Sequence, residues 1–215
     1  MKMYHTMFHC IKSSTVKGIF WSSSTFSYLR YLPQKCSSSK LQYKSYKDVN
    51  EALEHVTSPK AMKVYTDGSY VKADGNERSS WGVYFGENDL RNGYGLITKE
   101  KEKEKEPLSS SDAEYKAVIK ALEAINTSEV GKYEILTDNL SCGVLFWCFY
   151  KPWISQKSHI AKKLPRKSRN SFVTIFEKTN EVTKKGSEVS IIYVPGHRQI
   201  AGNDAAHRLA LEGRK

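Results

Sequence analysis

Cysteine is scarce in this chain of 215 residues: Cys10, Cys36, Cys142 and Cys148 include no Cys-x-x-Cys pair and form no regular framework. A reduced, intracellular compartment is the simplest reading of such thiols. No long hydrophobic run is present either. The apolar stretch Gly143 to Tyr150 falls far short of the ~20 residues that a membrane span needs. Acid is missing from two whole stretches. Residues 1–47 hold eight Lys or Arg before the first carboxylate, Asp48, and residues 139–176 hold seven Lys or Arg, again without an acid. The formal net charge is +11, so everything outside these blocks sums to −4. Basic charge in two blocks beside a mildly acidic remainder suits a polyanion gripped on either side of a cation site. The first 40 residues, Ser-rich, basic and acid-free, also have the composition of a mitochondrial presequence, although they read equally well as part of a folded domain.

What the chain does contain is a set of polar groups placed at the ends of strand-like or helix-like runs. Asp67 lies in Val64-Tyr65-Thr66-Asp67-Gly68-Ser69, Glu114 in Ser111-Asp112-Ala113-Glu114, and Asp138 ends Ile135-Leu136-Thr137-Asp138. His197 follows a third apolar run in Val194-Pro195-Gly196-His197. Carboxylates brought to adjacent strand ends either share a divalent cation or repel until one takes up a proton.

The patterning predicts an α/β unit from residue 62 onward. Strands are expected at Met62–Ser69, Ser80–Gly86, Asn92–Ile97, Tyr133–Thr137 and Glu188–Val194. Helices are expected at Ser111–Ile125, at Asn139–Tyr150 (ending before Pro152), at Ser171–Lys184 and at Asn203–Leu211. Three successive strands followed by helix–strand alternation imply a mixed sheet covered by helices. Upstream, Asp48 with Glu51 three residues on predicts a capped helix to about Val56. Aromatics interleave with basic residues before it, including Trp21, Tyr43 and Lys44, as a nucleic-acid surface requires: rings stack on bases while lysines meet phosphates. Thr57-Ser58-Pro59-Lys60 reads as a linker. The strictly alternating Lys99–Glu106 run puts both signs on every helical face and is expected to be a solvated insertion without chemistry.

Taken together, these motifs resemble type 1 ribonuclease H. Tyr65-Thr66-Asp67-Gly68-Ser69 is similar to its first catalytic strand, Ala113-Glu114 with Ala121-Leu122-Glu123 to its first helix, and Leu136-Thr137-Asp138 to its fourth strand. Val194-Pro195-Gly196-His197, Gly202-Asn203 and Arg208-Leu209-Ala210 resemble its C-terminal loop and helix. The resemblance implies a five-stranded mixed sheet flanked by helices over residues 62–215. It also implies a small N-terminal α+β hybrid-binding-like domain over 1–57, overlapping any targeting segment, and a linker at 58–61.

The activity implied is endonucleolytic cleavage of the RNA strand of RNA–DNA hybrids with two Mg²⁺ ions, or Mn²⁺. Two cations about 3.5–4 Å apart can clamp an in-line displacement, one activating water and one stabilising the leaving oxygen. Asp67 would bridge both ions, Glu114 and Asp138 would hold the second, and His197 would assist proton transfer or product departure. His207 stands where a fourth aspartate is usual, with Asp204 one turn earlier as the alternative ligand. Trp153 is expected in the channel for the DNA strand, and Lys162, Lys163, Arg166 and Lys167 on a basic protrusion. Ser110-Ser111 replaces an Asn-Gln pair, and Asp74 replaces a loop asparagine. With His207, these changes give a second reading: a protein that binds hybrid or double-stranded RNA through a weakened or inactive site. The expected enzyme is a monomer acting without a membrane, in the nucleus, the mitochondrion or both, with the cytoplasm as an alternative.

Overall fold

Twelve residues from Met62 to Ala73 form the long strand β4 at the heart of a mixed sheet. The computed structural model of the chain describes residues 8–12, 17–21, 42–73, 76–98 and 109–215. The strands are β1 (Phe8–Lys12), β2 (Lys17–Trp21), β3 (Gln42–Tyr46), β4, β5 (Asn76–Tyr84), β6 (Gly93–Leu96), β7 (Lys132–Thr137) and β8 (Glu188–Tyr193). The helices are α1 (Val49–Val56), α2 (Ser110–Asn126), α3 (Leu140–Ser155), α4 (Lys157–Lys163), α5 (Arg169–Lys184) and α6 (Ala201–Glu212).

The expected five-stranded mixed sheet is present as β8-β7-β4-β5-β6, parallel from β8 to β4 and antiparallel from β4 to β6. The β4–β5 hairpin is longer than the apolar pattern suggests. Its outer rungs run to Ala73↔Asn76, where the Lys72–Glu77 ion pair, at 3.0 Å, sits directly across the strands. Three further strands continue the same sheet: β1 pairs antiparallel with β2 and β3, and Gly18 of β2 pairs parallel with Tyr193 of β8.

Alternation along β4 sends Val64 to one face and Tyr65 to the other, and helices cover both. α2, α3 and α5 pack a large apolar core that includes Val64, Leu122, Ile135, Phe172 and Phe176. On the opposite face α6 lies over β4 and β5, so close that a Cβ on Gly82 would strike the backbone of Ala206 and Ala210. A second cluster on that face joins β1, β2 and α1 to Leu136, Ile192, Val194 and Ile200. Helix starts are fixed by side chains. Asp48 accepts from the amides of Asn50 and Glu51, while Ser109 and Asp112 form a reciprocal capping box.

One boundary differs from the sequence expectation. α3 does not stop before Pro152 but runs through it to Ser155, because Trp153 beyond the proline is held in the core against Phe176. The Lys99–Glu106 run and Asp74 lie outside the described residues, as does everything in 22–41.

Candidate metal centre and nucleic-acid face

β4 delivers Asp67 to the sheet face beneath α6, opposite Gly82 of β5. α2 delivers Glu114 from just past its first turn, pressed so tightly onto β4 that a Cβ on Gly68 would collide with the backbone of Ala113 and Glu114. Asp138 follows the last residue of β7, just before Asn139 caps α3 through the Cys142 amide. The three carboxylates therefore come from three elements, and each offers an oxygen within 4.8 Å of the other two.

Their electrostatics are those of a site that wants a cation. Burial, then the charges of Asp138 and Asp67, push the Glu114 carboxyl far above the carboxylate range. Burial and Asp67 raise Asp138 to about 6, against a hydrogen bond from Asn203 and the neighbouring His197, which favour its charged form. The Glu114 Oε2 atom is buried and has no hydrogen-bond partner. Three hard oxygen donors, mutual repulsion and one orphaned buried oxygen fit a divalent cation of the Mg²⁺ or Mn²⁺ kind.

His207 comes from α6, and its Nδ1 lies 2.7 Å from Asp67 Oδ2. Neither it nor Asp204 belongs to the group of three whose ligand atoms converge. The His197 ring stands edge-on to that of His207, with centroids 5.2 Å apart. His197 is exposed on a loop leading from β8 to α6, and Gly196 beside it passes so close to Asp138 that a Cβ there would strike the carboxylate. Two non-glycine residues of this loop, His197 (φ 54°) and Gln199 (φ 61°), take left-handed backbone. Each costs about 1–3 kcal/mol and persists only where the surroundings hold it. Val194 and Ile200, at either end of the loop, are fully buried.

Asn203, part of the family-like Gly202-Asn203 pair, was not among the expected site residues but lies at the site. It is buried, hydrogen-bonds the Asp138 carboxylate and keeps its Oδ1 without a partner. Its place in the first turn of α6, next to a glycine stacked under Tyr65, was the available signal.

The residues assigned to nucleic acid divide. Lys162, Lys163, Arg166 and Lys167 are all exposed. α4 and the single turn after it anchor inward through Ile160 and Leu164, so the basic groups face out. Arg169 ties the segment down by donating to the Lys162 and Leu164 carbonyls, each at 3.3 Å. Lys44 is exposed over the Tyr46 ring. Trp153 is a correction: it is 1% exposed and packs on Phe176, so its ring offers no face to a base. With α3 continuing through Pro152, Trp153 falls seven residues after Phe146, on the same buried stripe. Trp21 and Tyr43 lie in described strands, but their side chains are outside the described part.

Comparison with known proteins adds four findings. A family model described as RNase H matches residues 59–215. Human ribonuclease H1 is 29% identical over 157 residues, covering 71% of this chain and 49% of that protein, so the chain spans about half the length of this curated relative. The fold is similar to the PFV RNase H domain, with a TM-score of 0.53 at 20% identity over 71% of this chain and 93% of that one. It is also similar to the foamy viral protease-reverse transcriptase solved with an RNA/DNA hybrid, with a TM-score of 0.55 at 19% identity over 72% of this chain and 20% of that one.

Proposed function

The chain belongs to the RNase H family, and on that premise we propose that it is an endoribonuclease that cleaves the RNA strand of RNA–DNA hybrids. The observation that carries this reading is the convergence of Asp67, Glu114 and Asp138, with the Glu114 oxygen buried and unpartnered.

Divalent cations, held by these three carboxylates, would supply an activated water and stabilise the departing 3′ oxygen. The chain's own residues do the rest. Asp67 sits centrally, oriented by the hydrogen bond from His207 Nδ1. Asn203 holds Asp138 in its charged form by donating to it. His197, exposed at the rim, is placed to carry a proton to or from the leaving group. The exposed group Lys162, Lys163, Arg166 and Lys167 meets phosphates beyond the cut. Mg²⁺ as the working ion, a monomeric state, and a nuclear or mitochondrial location belong to the same proposal. Among the described residues no helix is long and apolar enough to cross a membrane.

The direct test is cleavage of a labelled hybrid with Mg²⁺ or Mn²⁺, set against duplex DNA and against chelation by EDTA. Turnover of hybrid alone is expected, and no metal-dependent cleavage would refute the proposal. Binding without cleavage would favour the second reading, which rests on His207 replacing a carboxylate.

That replacement makes a prediction of its own. An imidazole where a carboxylate is usual leaves the cation site one negative charge short, and Mn²⁺ accepts nitrogen more readily than Mg²⁺ does. His207→Asp is expected to raise Mg²⁺-supported turnover and narrow the preference for Mn²⁺. An unchanged Mg²⁺ titration would show that His207 acts only through Asp67.

The basic protrusion is tested by salt. Replacing Lys162, Lys163, Arg166 and Lys167 with alanine removes four exposed cations, so the slope of log K against log salt should shrink by up to about 3–4. Hybrid affinity measured by anisotropy over a salt series reads this, and an unchanged slope would take the phosphate contacts elsewhere.

A further inference from the structure

We propose that the N-terminal strands and α1 position the His197 loop, making residues 8–12, 17–21 and 42–56 a working part of the catalytic unit rather than a separable binding module. The inference rests on the proposed role of His197 at the scissile bond.

Three observations place the segment there. β2 extends the sheet along the edge of β8, the strand that leads into the loop, through the Gly18↔Tyr193 pairing. The Phe20 ring packs at a tilt against that of Tyr193, the last residue of β8, with centroids 5.3 Å apart. Most tellingly, the two residues that bracket the loop are buried in the same apolar cluster as this segment. Val194 and Ile200 belong to one apolar cluster with Cys10, Ile19, Leu53 and Val56.

The join is also locked by charge. Glu134 of β7, only 3% exposed, accepts from Lys17 Nζ at 2.8 Å and from the Ser58 amide at 2.9 Å. One buried carboxylate thus ties the start of β2 and the chain leaving α1 to a central strand. An acid buried this deeply and satisfied by both groups fixes their mutual position, since losing either would leave it under-paired.

The loop needs such support. His197 and Gln199 both hold left-handed backbone that non-glycine residues rarely adopt. The loop's ends are fixed points: Val194 and Ile200 are both buried, and Val194 also donates its amide to the Thr137 carbonyl at 3.0 Å. Loosening the cluster from the N-terminal side frees Val194 and Ile200 to shift, and the imidazole moves with them. A displacement of about an ångström at an acid–base group is enough to lower turnover strongly without touching substrate affinity.

The experiment uses the full chain carrying Leu53→Ala, with Leu53→Met as the volume-conserving control. Cleavage of a short hybrid is expected to show kcat down about tenfold with KM within about twofold, and Leu53→Met should restore it. A separable binding module predicts the reverse, a raised KM at unchanged kcat, and that result would overturn the proposal. In a His197→Ala background the Leu53→Ala loss should disappear, because both changes act through one side chain. Additive losses would overturn it too. Hydrogen exchange gives a readout independent of activity. Amides of residues 194–200 should lose protection in Leu53→Ala while those of α2 keep theirs, and an unchanged loop would refute the positioning even if the wild-type chain cut nothing. Should Leu53→Ala also melt α2, the milder Ile19→Val decides by the same measurements.

Discussion

Asp67→Asn is expected to lower hybrid cleavage by about 10³-fold or more, equivalent to roughly 4 kcal/mol of transition-state stabilisation. The substitution is nearly isosteric, and an asparagine oxygen can still accept from His207 Nδ1, so the geometry of α6 over β4 should survive. What disappears is the central negative charge of the cluster. Hybrid binding should hold or improve, since one charge that repels phosphate has gone. The metal-free protein should also melt at a higher temperature, because Asp67 contributes to the repulsion that raises both Glu114 and Asp138. Single-turnover cleavage, anisotropy and thermal unfolding in EDTA check the three parts. Residual turnover within tenfold of wild type would remove Asp67 from the centre of the mechanism.

The second large effect is a stability that runs against pH and is reversed by metal. Glu114 and Asp138 hold their protons more tightly in the folded chain than in the unfolded one. Where the native state binds more protons, stability falls as pH rises. In EDTA the loss should begin near the ordinary values, 3.8 for Asp138 and 4.5 for Glu114. The Asp138 share is complete above about 6, and the Glu114 share continues past neutrality. The slope for each proton cannot exceed about 1.4 kcal/mol per pH unit. Divalent cations replace the protons, so saturating Mg²⁺ should restore most of the loss at pH 8 and little at pH 4. Glu114→Gln should flatten the metal-free profile and weaken the metal response together. Urea unfolding at several pH values, with EDTA and with Mg²⁺, decides it. A profile that rises with pH in EDTA would mean that the three carboxylates do not repel one another as their burial requires.

How much of this was legible beforehand depended on whether local pattern or distant packing decided the outcome. α2 was readable because its apolar face repeats at helical spacing, while the capping box of Ser109 with Asp112 starts it one residue earlier than that spacing shows. Asp67, Glu114 and Asp138 were readable because each breaks, follows or closely precedes an apolar run, although β4 carries Asp67 at mid-strand and not at its end. Trp153 was misjudged because proline is locally a helix terminator, while a tryptophan ring anchored on Phe176 outweighs one lost backbone bond. The join of β2 to β8 could not be seen at all. It pairs residues at opposite ends of the chain, and no local periodicity reports which edge a strand will choose. Glu134 is the same case, an ordinary strand acid in sequence whose partners, Lys17 and Ser58, come from far upstream.

That long-range pairing also sets a schedule for synthesis. Gly18 leaves the ribosome 175 residues before Tyr193, its partner across the sheet. At translation speeds of about 5–20 residues per second, the interval is roughly 10–35 s. For that time β2 presents an open edge and Ile19 and Phe20 lack the surfaces that bury them in the finished molecule. That edge of the sheet therefore closes only after β8 has emerged, long after β2 was made.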